Sequence, residues 1–372
     1  MAAGGQTTDL GLGKFLPTAE PPQAGPRGMI KNRLQKYGSA AAVGIGAGIA
    51  AAVVCSLATR ATVPAALLAN LCPLPIMITM MGYGAVAGAS AVGAAAVTVA
   101  AVFYTQEKFG NVDAAALAGL TFVFFVGLPA FWLSLLSVLS RVKGSTNWVV
   151  TTRVGSFFAR EYCPLERVLT YATSLSATVG VAIAIYVSSL YGGFDVAVDK
   201  ISSELMLLIN PKQLPSGVSP RDIARATALS LAPVAAGCNL LVMLINLWLA
   251  GRIVQLSGKL PRPWPNIAWE LRLPRIYLLV FGLASALGPY TGGLPGLIVT
   301  IVAVTLGVAY ALLGLATAHH LLRGASFRLP ALVLIYLSLV IPLTALALVA
   351  AGVADAAFSL RDRKKPGVSP QR

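Results

Sequence analysis

The stretch from Ala40 to Ala58, AAAVGIGAGIAAAVVCSLA, decides the fold class. It carries no charged residue, and an apolar run of about 18 or more residues predicts a helix that crosses a bilayer. Eight further apolar segments follow along the chain, at about 65–81, 85–104, 114–139, 170–191, 226–250, 276–287, 294–316 and 329–354. The sequence therefore predicts an all-α fold, a polytopic transmembrane helix bundle with 8–9 spans.

Composition supports the same class and excludes soluble folds. Hydrophobic residues make up 57% of the chain and charged residues only 11%, whereas a soluble domain is about 25% charged. The net charge is +15, which in a soluble protein would indicate nucleic-acid binding. Here the basic residues cluster in loops and tails without interleaved stacking aromatics. We therefore expect a lipid bilayer and no nucleic acid as partner.

Basic loops also predict the orientation. Lys and Arg concentrate on the cytoplasmic side of membrane proteins, which places the N-terminus in the cytoplasm. The predicted organisation is a flexible basic cytoplasmic tail (1–38), a transmembrane domain (39–354) with cytoplasmic loops at 140–168 and 251–275 and an outside amphipathic segment at 192–222, and a basic C-terminal tail (355–372).

The number of spans depends on Ile276–Leu287. Twelve residues make about 18 Å of helix, against a hydrocarbon core of about 30 Å. If this segment is re-entrant, the chain has eight spans and an inside C-terminal tail. If Leu273–Tyr290 crosses, it has nine spans and the tail lies outside. Both interpretations remain open from sequence.

The outside segment has helical periodicity. Val198, Ile201, Leu205 and Leu208 recur at spacings of three, four and three, which predicts an amphipathic helix on the membrane surface or over the bundle. Ser219 and Pro220 then have the residue types of an N-cap and a first helical position.

No catalytic constellation is evident. The predicted spans have no ionisable residue in their interiors, whereas proton-coupled transporters usually need one there. No phosphate-binding Gly-rich loop is present, and the two histidines are adjacent and point to different faces of a helix. The four cysteines are far apart in sequence and suggest neither a disulfide nor a zinc site. We expect no enzyme activity, metal or cofactor.

Small residues follow one face of the first span at intervals of four: Ala40, Gly44, Gly48, Ala52 and Ser56. Such a face lets another helix approach closely. One interpretation is packing within the bundle. The other is a docking face for a separate membrane subunit, formed by the first four of these residues.

Polar groups within the spans are few. Asn239 and Asn246 lie two turns apart on one helix face, and Asn70 precedes a Pro-Leu-Pro break. These amides could line a ligand cavity or form interhelical hydrogen bonds, which is their more common use. Asp355 follows the last span closely enough to pair with Arg361 or Arg363.

Several motifs resemble the YybS-like family of bacterial membrane proteins over roughly residues 35–363. They are Pro73-Leu74-Pro75-Ile76 leading into Gly82-Tyr83-Gly84 and Gly88, Arg272-Leu273-Pro274, Ala318-His319-His320-Leu321-Leu322-Arg323, and the ending Gly352-Val353-Ala354-Asp355-Ala356-Ala357-Phe358 with Arg361. The first six spans are more distantly similar to the S components of energy-coupling-factor vitamin transporters.

The resemblance implies a multi-pass protein of the bacterial inner membrane on a transport-like scaffold. S components dock a coupling subunit through small residues on their first helix, which would match the stripe that begins at Ala40. The implied function is small-molecule uptake or substrate binding, with a coupling membrane subunit and ATPases as partners and the ligand unidentified. The alternative is a non-transporting scaffold for envelope or division proteins that acts through the basic loops.

Overall fold

The structure, a computed structural model, describes residues 26–60, 62–105, 111–142, 146–150, 160–210, 214–215 and 217–363. Its first eight helices are α1 (Pro26–Ser56), α2 (Val63–Ala69), α3 (Leu74–Tyr83), α4 (Ala85–Thr105), α5 (Val112–Phe122), α6 (Leu128–Val138), α7 (Leu165–Leu190) and α8 (Phe194–Met206). The others are α9 (Pro220–Leu256), α10 (Ile267–Glu270), α11 (Ile276–Leu287), α12 (Gly293–Leu321), α13 (Arg328–Ser338), α14 (Pro342–Phe358) and α15 (Leu360–Arg363). Short 3-10 turns cover Leu57–Thr59 and Gly288–Tyr290.

The predicted all-α bundle is confirmed. Within the described ranges, seven helices are long and apolar enough to cross a membrane, or eight if the bent pair α13 and α14 is one broken span. The segment from Ile276 to Tyr290 is too short to count. The structure thus agrees with the eight-span interpretation and does not support a ninth span.

Proline begins a new helix in one apolar segment and is tolerated in another. α13 and α14 meet at an angle of 119°, so the predicted continuous last segment, 329–354, is wrong. Pro342 begins α14; it lacks an N–H group and pushes the preceding residue out of helical geometry. Pro129 is tolerated instead, because a π-helical turn (Val123–Gly127) joins α5 to α6 just before it.

A small antiparallel sheet forms where the sequence predicted a loop. Its strands are β1 (Leu139–Val142), β2 (Val149–Val150) and β3 (Arg160–Tyr162), in the order β2-β1-β3. Tyr162 donates a hydrogen bond to the carbonyl of Pro261 (2.9 Å), which ties the sheet to the segment after α9.

Parts of both predicted tails are helical. Residues 26–38 are helical as the start of α1, so the prediction of a flexible tail over 1–38 is wrong for that part, and 1–25 lie outside the described residues. The predicted tail at 355–372 is wrong as far as Arg363, because α14 and α15 continue to that residue. Residues 364–372 lie outside the described part.

The amphipathic helix at 192–222 is α8. It packs against α7 and α9, with Ala197, Val198 and Ser202 buried. Leu208 lies beyond the end of the helix and is exposed, so the predicted apolar stripe ends one position early. Ser219 caps α9 as predicted, because its hydroxyl accepts a hydrogen bond from the backbone N–H of Arg221 (3.2 Å).

Candidate functional site

The small-residue face of α1 packs against α4 within the chain. A Cβ atom added at Gly44 would collide with the carbonyl oxygen of Ala87, and one added at Gly48 with that of Ala91. Gly44, Gly48 and Ala52 are buried, and Ala40 is half-buried. The structure therefore has the internal packing that the sequence left as one alternative, and in this arrangement the face is closed to a second subunit.

The three asparagines form hydrogen bonds between and within helices instead of lining a common cavity. Asn246 is buried and its Nδ2 donates to the backbone carbonyl of Asn70 (2.8 Å), while Asn239 donates to Ser176 on α7 (3.2 Å). The Asn70 side chain is exposed and bonds to its own helix, to the carbonyl of Ala66 (3.0 Å). Asn239 and Asn246 therefore have the interhelical hydrogen bonds that the sequence left as one alternative, and Asn70, Asn239 and Asn246 are not among the residues that line the cleft described next.

An apolar cleft of about 390 Å³ lies between α7, α9 and α12, beneath residues 260–271. This volume is within the range of small-molecule sites, roughly 300–1,000 Å³. Representative wall residues are Val168, Leu169, Leu244, Leu247, Leu312 and Leu315. The cleft reaches the outer surface of α9, where Ile245 is 53% exposed and Trp248 is 47% exposed. Both residues lie on α9, which is long and apolar enough to cross a membrane.

The segment Pro261-Arg262-Pro263-Trp264-Pro265 forms one wall of the cleft. Three prolines at alternate positions fix φ and remove backbone donors, so this segment cannot continue α9. Arg262 and Trp264 line the cleft. No sequence pattern placed them near α7 and α12, although the alternating prolines did mark a rigid, non-helical segment.

Arg262 is held at the cleft by its guanidinium. Nη1 donates to the carbonyls of Ser137 (3.1 Å) and Cys163 (3.3 Å), and the guanidinium carbon lies 5.3 Å from the centre of the Tyr162 ring. Nε is buried and has no hydrogen-bond partner among the described residues. Burial lowers the pKa of Arg262, and the nearby Glu270 carboxylate opposes that shift. The group stays cationic, since an arginine pKa is normally above 12.

A second cation lies beside the same wall. The guanidinium carbon of Arg252 is 4.9 Å from the centre of the Trp264 ring, and its Nη1 donates to Gln255 (2.7 Å). This side chain is exposed. Arg262 thus lines the cleft as a partly desolvated cation, and Arg252 adds an exposed cation beside the wall residue Trp264.

A buried ion pair joins the C-terminal helices to the same segment. Arg361 is 1% exposed and Asp355 is 6% exposed; Nη2 lies 2.7 Å and Nε 2.8 Å from Asp355 Oδ2. Arg361 also donates to the carbonyls of Ala268 (3.0 Å) and Leu271 (2.7 Å). The predicted partner Arg361 is thus the one that Asp355 uses.

A second ion pair lies next to it at the surface. Arg272 donates two hydrogen bonds to the Asp362 carboxylate (2.7 and 3.0 Å), which raise the pKa of Arg272. These side chains are 36% and 39% exposed. We call the sheet β1–β3, residues 257–275 and α15 together the basic end, because these parts contact one another and carry Arg262, Arg272 and Arg361.

Among the described residues no group of three or more His, Cys, Asp or Glu side chains is placed to hold a metal ion. Comparison of the chain with family models, with curated proteins and with solved structures finds no match. The apolar cleft and its two arginines are therefore the basis on which a function is proposed.

Proposed function

We propose that this chain is a membrane-embedded binding protein that takes up or presents a small molecule without catalysing a reaction. The observation that carries the proposal is the 390 Å³ apolar cleft, whose lining includes the exposed residues Ile245 and Trp248 of the long apolar helix α9. In this proposal the chain lies in a bacterial inner membrane with its N-terminus in the cytoplasm. A coupling membrane subunit with ATPases would supply the energy, as the resemblance to S components implies.

The α1 packing changes where such a subunit would bind. Gly44 and Gly48 are covered by α4, so docking on their face would require α1 and α4 to separate. The neighbouring face of α1, about 100° around the helix, presents Ile45, Ile49 and Val53, which are exposed. A coupling subunit would meet this face without any rearrangement of the bundle.

The binding proposal can be tested with a neutral probe. Trp264 lines the cleft and serves as reporter in a variant whose other four tryptophans, Trp132, Trp148, Trp248 and Trp269, are replaced by phenylalanine. In an alkyl maltoside with a brominated chain, we expect Trp264 fluorescence to be quenched. Phenylalanine at Leu312 or Leu315 should fill the cleft and protect Trp264.

The matched control is Leu283→Phe on α11, which adds the same group at an exposed position outside the cleft. This variant should be quenched as strongly as the parent. If Trp264 is not quenched, or if the filling variants and the control behave alike, the cleft does not admit an apolar chain and the proposal is refuted.

A second candidate is the non-transporting scaffold, favoured by the folded surface of β1–β3. Trp148 lies between Arg141 and Arg167, whose guanidinium carbons are 5.0 and 5.5 Å from its ring centre. Arg141 also pairs with Glu161 (2.8 Å), which gives a shaped surface that could bind protein.

Co-purification from native membranes, read by mass spectrometry, separates the two candidates. A reproducible ATPase pair with a coupling subunit supports uptake. Recovery with envelope-assembly proteins, lost when Arg141 and Arg167 are changed to glutamine, supports the scaffold.

A further inference from the structure

The cleft and its arginines together indicate a class of ligand. Resting on the proposed function, we propose that the cleft binds an amphiphile of the same membrane that has an anionic headgroup. Its apolar body fills the space between α7, α9 and α12, and its headgroup binds Arg262 and Arg252.

The shape and the lining of the cleft favour an apolar body in the ligand. The wall atoms are almost entirely hydrocarbon, so a water-soluble polar metabolite would lose its hydration there without compensation. Trp248 and Ile245 mark an opening on the outer surface of α9, which a lipid can reach from the bilayer. The volume is near the lower limit for small-molecule sites, which favours a ligand that inserts one chain.

Positive charge lies at one end of the cleft. Arg262 uses Nη1 for the carbonyls of Ser137 and Cys163, which leaves its buried Nε without a partner among the described residues. Because Nε is enclosed, an anionic headgroup beside Trp264 would pair with Arg262 by charge, and would accept charge-assisted hydrogen bonds from the exposed guanidinium of Arg252.

The charge balance at this end favours an anion. Arg252 stacks on Trp264 and supplies a second positive charge, whereas Glu270 is the acidic group that interacts with Arg262. Glu270 Oε1 is already engaged by the backbone N–H of Asn266 (2.9 Å). Basic pockets between membrane helices are known to bind anionic headgroups.

The experiment compares two lipids that differ in headgroup and share the brominated chain. The Trp264-only protein is placed in nanodiscs with equal mole fractions of brominated phosphatidylglycerol, which is anionic, or brominated phosphatidylcholine, which is zwitterionic. We expect half-maximal quenching at about a tenfold lower mole fraction of the anionic lipid, the value of one charge-assisted hydrogen bond. Higher salt should reduce the difference between the two lipids, because the charge of the exposed Arg252 is screened.

Three variants locate the effect. Arg262→Gln and Arg252→Gln should each reduce the preference, and the second tests the proposal even if the first fails to fold, because Arg252 is exposed. Arg225→Gln is the matched control. It removes an exposed arginine near the other end of α9, one that pairs with Asp199 (3.3 Å), and should leave the preference unchanged.

The outcomes separate the two proposals. Equal quenching by both lipids overturns the headgroup inference while leaving binding in the cleft intact. A preference that survives both glutamine variants also overturns it, because other residues would then select the lipid. Quenching by neither lipid, nor by the neutral maltoside, refutes both proposals together.

Discussion

The buried Asp355–Arg361 pair provides the sharpest test of how the C-terminal helices are held. Arg361 Nε and Nη2 both contact Asp355 Oδ2, and the backbone N–H of Arg361 donates to Asp355 Oδ1 (3.0 Å). Replacing Arg361 with alanine would leave a carboxylate that is 6% exposed without its counter-ion. It would also leave the carbonyls of Ala268 and Leu271 without these donors.

The magnitude follows from burial. Removing one partner of a buried ion pair costs about 3–5 kcal/mol, because the remaining charge is desolvated and uncompensated. The neighbouring Arg272–Asp362 pair has comparable hydrogen-bond distances, but its side chains are more than a third exposed. Solvent screening reduces the value of such a pair to about 0–1 kcal/mol. We therefore expect Arg361→Ala to destabilise the protein several times more than Arg272→Ala.

The assay is reversible unfolding of the full chain in mixed micelles, followed by helical circular dichroism as the fraction of denaturing detergent increases. The double variant Asp355→Ala/Arg361→Ala completes a thermodynamic cycle. Because it leaves no unpaired charge, its cost should be well below the sum of the two single variants.

Two results would contradict this reasoning. If Arg361→Ala and Arg272→Ala cost the same, burial does not determine the strength of these pairs. If the costs of Asp355→Ala and Arg361→Ala simply add, the two side chains are not coupled in the folded protein.

Three further predictions concern close packing and a buried thiol. Gly44→Ala should destabilise the protein by about 1–3 kcal/mol through collision with α4, whereas Gly46→Ala, which faces open space, should be neutral or slightly stabilising in the same unfolding assay. Gly352→Ala should separate α14 from α12 at a similar cost, with Gly282→Ala as its unhindered control. Burial raises the pKa of Cys163 despite two nearby arginines. Its alkylation in the folded protein at about pH 8.5, followed by peptide mass spectrometry, should lag behind alkylation in denatured protein; equal rates would contradict a buried, protonated thiol.

The sign of the Cys163 effect also predicts a pH dependence of stability. A raised pKa in the folded state means that the thiol contributes stability below its unfolded pKa, and that this contribution is lost as the pH rises through the folded value. Replacing Cys163 with serine should therefore flatten the alkaline side of the unfolding profile. An unchanged profile would show that the thiol does not titrate differently in the two states.

The spans were predictable because they depend on local composition. Long apolar runs specify helices wherever backbone groups must bond within the segment, and the first six spans lie where the runs lie. The helix cap at Ser219 and the pairing of Asp355 with Arg361 were also predictable, since both involve residues close together in sequence.

The cleft could not be predicted, because its parts are distant in sequence. Leu169 on α7, Leu244 on α9 and Leu312 on α12 become neighbours only when three helices pack. The choice between the two interpretations of the asparagines could not be made for the same reason, since the amide of Asn246 meets the backbone of Asn70 only across a tertiary contact. Nothing local distinguishes an amide that lines a cavity from one that ties helices together.

The small-residue stripe on α1 predicts close helix packing but does not identify the partner helix. Gly44 and Gly48 predict correctly that a helix approaches closely, but the spacing carries no information on whether that helix belongs to the same chain. Replacing both glycines with leucine would therefore not isolate a docking defect. We expect those variants to have a lower free energy of unfolding, because the new side chains would collide with the backbone of α4.

Leu271 connects the apolar cleft to the buried Asp355–Arg361 ion pair. Its side chain lines the apolar cleft, and its backbone carbonyl accepts a hydrogen bond from Arg361 (2.7 Å). Truncating the chain after Asp355 would thus leave a buried carboxylate unpaired and free the segment that carries the cleft wall. Such a truncation would abolish ligand binding because the cleft wall is no longer held in place. Loss of function in the truncated protein is therefore not evidence for the scaffold function. Arg272→Ala removes a neighbouring contact of α15 without exposing a buried charge. It should therefore leave quenching of Trp264 by the anionic lipid unchanged, while Arg361→Ala weakens it.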